Sequence, residues 1–170
     1  GLPEFDRNKC AACGACVRNC PERAALRFDP EFSRGIRSDC GLAPEVPLLV
    51  YSGSIPRRRG LETAVAALSD LPGVHLAVIA PPGHGRELLR EAGEEAGVSE
   101  RLHLIDYVPR QNIVQHLATA DVAVHPMVHL PNHEIALPNK FFDYAHAGLP
   151  MVVSDVEYLS RVVVDSGFGQ

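Results

Sequence analysis

The sequence predicts an α/β fold: a doubly wound, Rossmann-like parallel sheet preceded by a small, irregular, cysteine-rich segment. Three observations carry this. From Val46 onward, short apolar runs alternate with helical patterns. The runs are continuous in Leu, Val and Ile rather than alternating, which suits strands covered on both faces. The connections are short, so each strand–helix–strand unit reads as a right-handed crossover between parallel strands.

The elements follow in order. Pro47–Ser52 holds the run Leu48-Leu49-Val50-Tyr51 and stops at Gly53. Gly60–Leu71 sets Leu61, Val65 and Leu68 at helical spacing. Val74–Ala80 is a second apolar run, Gly85–Gly97 a charged helix and Leu102–Ile105 a third strand. Gln111–Ala120 carries Ile113, Val114 and Leu117 on one helical face, and Asp121–His125 is a fourth strand. A loop rich in His and Pro leads to a helix over Leu137–Ala147, with Pro138 suited to its first turn. Met151–Ser154 is a fifth strand and Val156–Val164 the last helix. Ligands on such sheets bind at the carboxyl ends of the strands, near a switch in strand order. The loops to inspect are therefore Gly53–Gly60, Ala80–Gly85, Asp106–Arg110, Pro126–Pro138 and Ser154–Glu157.

Length and composition narrow the rest. At 170 residues, the chain fits one domain of ~150 residues with a small appendage. It is 46% hydrophobic and 22% charged, so bulk disorder is excluded. No apolar run approaches the ~20 residues of a membrane helix, and residues 1–20 hold no apolar signal segment. A net charge of -5 disfavours a general nucleic-acid binder. All five Cys precede residue 46, four of them within residues 10–20. An odd, clustered set argues against secreted disulfides and for metal or redox chemistry in a reducing, cytoplasmic compartment. The composition shift divides the chain into residues 1–45, a Cys-rich segment or linker, and residues 46–170, the regularly patterned α/β domain.

Two stretches suit an anion. Gly53-Ser54-Ile55-Pro56-Arg57-Arg58-Arg59-Gly60 joins a strand to a helix, with glycines, a helix start and fork-shaped guanidinium donors. It matches neither the P-loop nor the dinucleotide glycine pattern, and a solvated basic turn has the same composition. Farther on, Asn139 and Lys140 open a helix, with Asp143 one turn in on the side of Asn139. A cation at a helix start and a carboxylate one turn on suit a diphosphate and a sugar hydroxyl; an ordinary amphipathic helix is the plain alternative. His125, His129, His133 and Glu134 recur near a spacing of four, but Pro126 and Pro131 deny them one helical face, which points to loop packing rather than metal.

From Val46 to Gln170 the sequence resembles the C-terminal, donor-binding domain of a GT-B fold, family 4 glycosyltransferase. The resemblance rests on Val50-Tyr51-Ser52-Gly53, Arg59-Gly60-Leu61-Glu62, Leu102–Val108 with Pro109, and Ala120–Pro126. It is strongest at Ala136–Tyr144 followed by Ala147-Gly148-Leu149-Pro150-Met151-Val152-Val153-Ser154. It implies retaining transfer of a hexose from a nucleotide-diphosphate sugar, without an obligatory metal. Arg59 matches a basic position after the first strand, with Arg58 beside it. Gly53, Asn139 and Lys140 fall in the donor-binding stretches. Asp143 matches the second acid of the family's E-x7-E motif, which holds the ribose, as a shorter Asp. The first acid falls at Ile135, and Glu134, one position away, is the catalytic candidate. The resemblance also implies a separate N-terminal acceptor domain and a longer C-terminus, so the chain alone is expected to be inactive.

Cys10-Ala-Ala-Cys13-Gly-Ala-Cys16-Val-Arg-Asn-Cys20-Pro21 reads C-x2-C-x2-C-x3-C-P, the bacterial ferredoxin run for iron–sulfur clusters. One 4Fe-4S cluster would use Cys10, Cys13, Cys16 and either Cys20 or Cys40. A zinc site from four of the five Cys, or free thiols in a linker, are the alternatives. Three functions follow: the donor half of a glycosyltransferase, an iron–sulfur electron-transfer module on an α/β scaffold, or a non-catalytic nucleotide-binding domain.

Overall fold

A computed structural model describes residues 35–55 and 60–169. Cys10, Cys13, Cys16 and Cys20, and Arg58 and Arg59 of the basic loop, lie outside the described residues.

The elements run α1 (Ile36–Asp39), β1 (Leu48–Ser52), α2 (Leu61–Ala67), β2 (His75–Ile79), α3 (His84–Glu95), β3 (Leu102–Ile105), α4 (Ile113–Leu117), β4 (Val122–His125), α5 (Pro131–Glu134), α6 (Asn139–His146), β5 (Met151–Val153) and α7 (Glu157–Asp165). The five strands form one parallel sheet in the order β3-β2-β1-β4-β5. The chain walks outward from β1 to β3, then returns to the other side of β1 as β4. The order therefore reverses between β1 and β4, where a crevice opens at the strand ends.

The apolar runs of β1 to β4 serve two cores. Leu48 and Val50 of β1 face one core with Ala77, Ala123 and Met151 from the other strands. Side chains from α1, α4, α6 and α7 close it, among them Ile36, Leu117, Tyr144 and Leu159. Tyr51, Leu76, Val78 and Val124 face the second core, covered by Leu61 and Val65 of α2 and Leu89 of α3. This is why the runs of β1, β2 and β4 do not alternate with polar residues: both faces of these strands are covered, whereas Val152 on the edge strand β5 is exposed.

Several boundaries differ from the sequence expectation. Pro138 is the N-cap of α6, in extended backbone (φ -64°, ψ 143°), rather than part of its first turn. The helix expected over Gln111–Ala120 is five residues long. Pro131 opens a single helical turn inside the His-rich loop. Before β1 there is a further short helix, α1, where no periodicity announced one. Its Ile36 is fully buried. Arg37 donates to the carbonyls of Thr119 (3.0 Å), Ala43 (3.0 Å) and Val46 (2.6 Å) and to Asp121 (2.7 Å). The packed body thus reaches back to Gly35. Among the described residues, no helix is long and apolar enough to cross a membrane.

Candidate functional site

Gly53 begins the loop after β1 with φ +150°, a conformation that side chains rarely adopt. Its N–H donates to the Ile79 carbonyl (2.9 Å), which ties the loop to the end of β2. The Tyr51 hydroxyl donates to the Ser54 carbonyl (2.8 Å) and pins the same loop from below. The Ser52 N–H donates to the hydroxyl of Tyr144 (2.9 Å), so α6 is fastened to the end of β1. Burial pushes the Tyr144 hydroxyl far above the ordinary phenol range, and it stays neutral as an acceptor for that N–H.

These links hold the start of α6 across from Gly53. Between them lies a cleft of about 510 Å3. Ser52, Gly53 and Ser54 form one wall, and Asn139, Lys140 and Asp143 the facing one. Ile79, Ala80 and Val108 make the far end apolar, with Tyr107 and Arg110 from the loop after β3 beside them. A second hollow of about 330 Å3 shares Gly53, Asn139 and Lys140 and extends toward His125, Asn132 and His133. Lys140 Nζ stands 3.1 Å from Asp143 Oδ2. Basic and acidic groups thus meet at the start of a helix whose free N–H groups and dipole favour an anion.

The structure brings Gly53, Asn139, Lys140 and Asp143 together along one cleft. It takes Glu134 elsewhere. Its carboxylate accepts from the Glu157 N–H (2.8 Å) and bonds His129 Nδ1 (2.6 Å). The Glu157 N–H first, then the His129 ring, hold the Glu134 carboxyl below the usual range. His129 Nε2 reaches Asp155 (3.0 Å), and the bonds to Glu134 and then Asp155 raise the imidazole pKa. His133 Nδ1 bonds the Val128 carbonyl (2.7 Å), and His125 stacks on Tyr51 at 5.8 Å. The histidines are thus engaged in loop and core packing. Among the described residues, no group of three His, Cys, Asp or Glu is placed to hold a metal ion.

Sequence reasoning singled out the loops after β3 and β4 but not Tyr107, Arg110 or Asn132 individually within them. Cleft position was the missing information, because none of these residues is unusual in its local pattern.

Of the five cysteines, Cys40 alone falls in the described residues, half-buried against the first core. Burial, then the neighbouring Asp39 charge, pushes its thiol up to about 11, with Arg37 opposing.

Comparison with known proteins agrees with this architecture. Residues 2–26 match the profile of a 4Fe-4S binding domain. A D-inositol 3-phosphate glycosyltransferase from Nocardia farcinica is 28% identical over 159 residues, covering 88% of this chain and 34% of that protein. A 2-deoxystreptamine N-acetyl-D-glucosaminyltransferase from Streptomyces fradiae is 30% identical over 106 residues, 59% of this chain and 25% of that one. The chain therefore spans about a third or less of the length of these relatives. Two solved structures share the fold. Sucrose-phosphate synthase from Thermosynechococcus elongatus aligns with a TM-score of 0.65 at 24% identity, over 79% of this chain and 34% of that one. WaaG, a glycosyltransferase involved in lipopolysaccharide biosynthesis, aligns with a TM-score of 0.60 at 22% identity, over 79% and 35%. The profile described as Glycosyl transferases group 1 matches residues 46–169, well over half of the sequence, and the chain belongs to that family.

Proposed function

We propose that this chain is the donor-binding half of a retaining glycosyltransferase, taking a nucleotide-diphosphate sugar in the cleft between Gly53 and α6. The observation that carries the reading is the cleft itself, with the Lys140 ammonium and the α6 start at one end and an apolar slot at the other. The diphosphate lies against Gly53, Asn139 and Lys140, where a backbone without Cβ allows close approach. The flat base enters between Ala80 and Val108. Asp143 accepts from a ribose hydroxyl. As the sugar departs, negative charge grows on the diphosphate, and Lys140 with the helix N–H groups offsets it in the transition state. Arg58 and Arg59 add donors from the basic loop. The acceptor and its activation belong to a separate N-terminal domain.

Calorimetry with uridine and guanosine diphosphate tests this. Replacing Arg58 and Arg59 together with Ala is expected to weaken binding by about 3–6 kcal/mol, since charge-assisted bonds contribute ~1.5–3 kcal/mol each. Unchanged affinity in the double variant removes the basic loop from the site.

A second reading concerns the N-terminal segment, and its match to a 4Fe-4S profile favours it. Cys10, Cys13, Cys16 and Cys20 would hold one cluster, which when bound supplies one-electron transfer. Anaerobically reconstituted protein should carry close to four irons per chain. Cys13→Ser should lose them and Cys40→Ser keep them. Iron near zero in the unsubstituted chain rules the cluster out.

A further inference from the structure

We infer that the first turn of α3 sets the width of the cleft, with Gly85 and Arg86 as positioning residues for the two loops that wall it. The inference deepens the nucleotide-diphosphate reading and rests on it. Gly85 packs directly on the loop after β1. A Cβ at Gly85 would lie 2.4 Å from the Ile55 carbonyl oxygen and 2.7 Å from the Ile55 Cβ, distances that force the loop or the helix to move. Ile55 stands two residues beyond Gly53, so this contact fixes how far the diphosphate wall leans toward α6.

Arg86, the next residue, reaches the opposite loop. Its side chain is 9% exposed. Nη1 donates to Asp106 Oδ1 (2.7 Å) and Nη2 to the Leu104 carbonyl (2.6 Å). One acceptor belongs to β3 and the other to the loop leaving it. A planar guanidinium holds its two acceptors at a set separation and angle. It therefore fixes the direction in which residues 106–110 depart from the sheet, and Tyr107, Val108 and Arg110 line the cleft along that departure. Arg86 Nε is buried with no hydrogen-bond partner among the described residues. An unsatisfied buried donor is costly, so this arginine is poorly suited to filling space and well suited to holding two acceptors apart. Because Gly85 and Arg86 are neighbours on one helical turn, α3 links the Gly53 wall to the loop after β3.

The test uses the full chain and the variants Arg86→Lys and Gly85→Ala. Amide hydrogen exchange comes first. Arg86→Lys keeps the charge but loses the two-acceptor geometry, and exchange at residues 106–110 should rise while β1 and β2 stay protected. Uridine, guanosine and adenosine diphosphate are then titrated, and the one bound tightest by the unsubstituted chain is carried forward beside inorganic pyrophosphate. Arg86→Lys should weaken the nucleoside diphosphate about tenfold and leave pyrophosphate unchanged, since its loop stands at the base end. Gly85→Ala should weaken both ligands, since Ile55 stands behind the diphosphate wall. Unchanged exchange at 106–110 in Arg86→Lys overturns the inference, as does equal loss of both ligands together with a lowered melting temperature. Should Arg86→Lys fail to fold, Asp106→Asn removes the exposed partner instead, and the same exchange pattern is expected of it. Failure of the unsubstituted chain to bind any of the three nucleotides overturns the functional reading itself, a result distinct from a change in exchange without a change in affinity.

Discussion

Before β1, β2 and β4, Arg37 and Arg101 stitch the N-terminal side of the sheet to backbone carbonyls, whereas at the C-terminal ends of β1 and β4 charged groups face a cleft. At the first end Arg37 bonds three carbonyls and Asp121, and the same Asp121 carboxylate accepts from the Leu48 N–H at 2.7 Å. Arg101 likewise donates to the carbonyls of Leu71 (2.8 Å) and Val74 (3.0 Å). At the other end Lys140 has the short-range partner Asp143 and a cleft in front of it. Basic side chains therefore serve cohesion at one end, and at the other end the proposed role of Lys140 is recognition. What separates the roles is whether the acceptors are carbonyls of the chain itself or space for a ligand.

The largest way to break this comparison is Arg37→Ala. It removes several charge-assisted bonds from a mostly buried side chain and strands the acceptors. We expect a loss of about 3 kcal/mol in denaturant unfolding, with ligand affinity per folded molecule unchanged. A loss below about 0.5 kcal/mol, the ordinary surface range, contradicts the stitching role.

Lys140→Ala should do the reverse. Its pair with Asp143 is a surface-type i,i+3 contact worth ~0.2–0.5 kcal/mol, so unfolding should barely change. Binding of a nucleoside diphosphate should fall by about tenfold or more, the worth of one charge-assisted bond. Asp143→Asn sharpens the contrast within the cleft: about fivefold weaker nucleoside diphosphate, on the scale of one neutral hydrogen bond, with pyrophosphate unaffected. Equal losses for both ligands would mean that Asp143 acts by holding Lys140.

The legibility of the two ends differs for the same reason. Strands and helices were readable because Leu48–Tyr51 or Val122–Val124 declare themselves within a few residues. The cleft was half readable, since Gly53, Asn139, Lys140 and Asp143 sit in local patterns. The stitching was not: Arg37 meets Thr119 and Asp121 across more than 80 residues. Tyr144 meets the Ser52 N–H across 92. No local period encodes such pairs. Helix α1 was missed because its one buried apolar residue, Ile36, leaves no repeat to detect. The register of the resemblance falls on Ile135, and the neighbouring Glu134 is bonded to His129 and to the Glu157 N–H of α7, pairings across 5 and 23 residues that no local pattern encodes.

The smallest expected effect is on pH dependence, where the two ends should respond with opposite sign. Toward the N-terminal end, His75 and His103 stack at 5.2 Å with Nδ1 and Nε2 2.9 Å apart. Burial lowers both pKa values, with Arg101 adding to it for His75 and His75 for His103. The folded chain thus takes up these protons less readily than the unfolded one, whose histidines titrate near ~6.5. Their effect is a stability that declines as pH falls from that value toward the folded ones. At the C-terminal end both nitrogens of His129 lie within 3.0 Å of carboxylate oxygens, of Glu134 and Asp155. Only the imidazolium donates at both positions. Its pKa is raised, so its contribution is fully present below ~6.5 and is lost as pH rises through the folded value. Melting temperature measured from pH 5 to 8 should therefore bend down on both sides. His103→Gln should flatten the acid side alone and His129→Gln the alkaline side alone. An alkaline decline that persists in His129→Gln would show that the His129 bridge contributes nothing to the loops it spans, and would leave the contrast between the two ends resting on the arginines and Lys140.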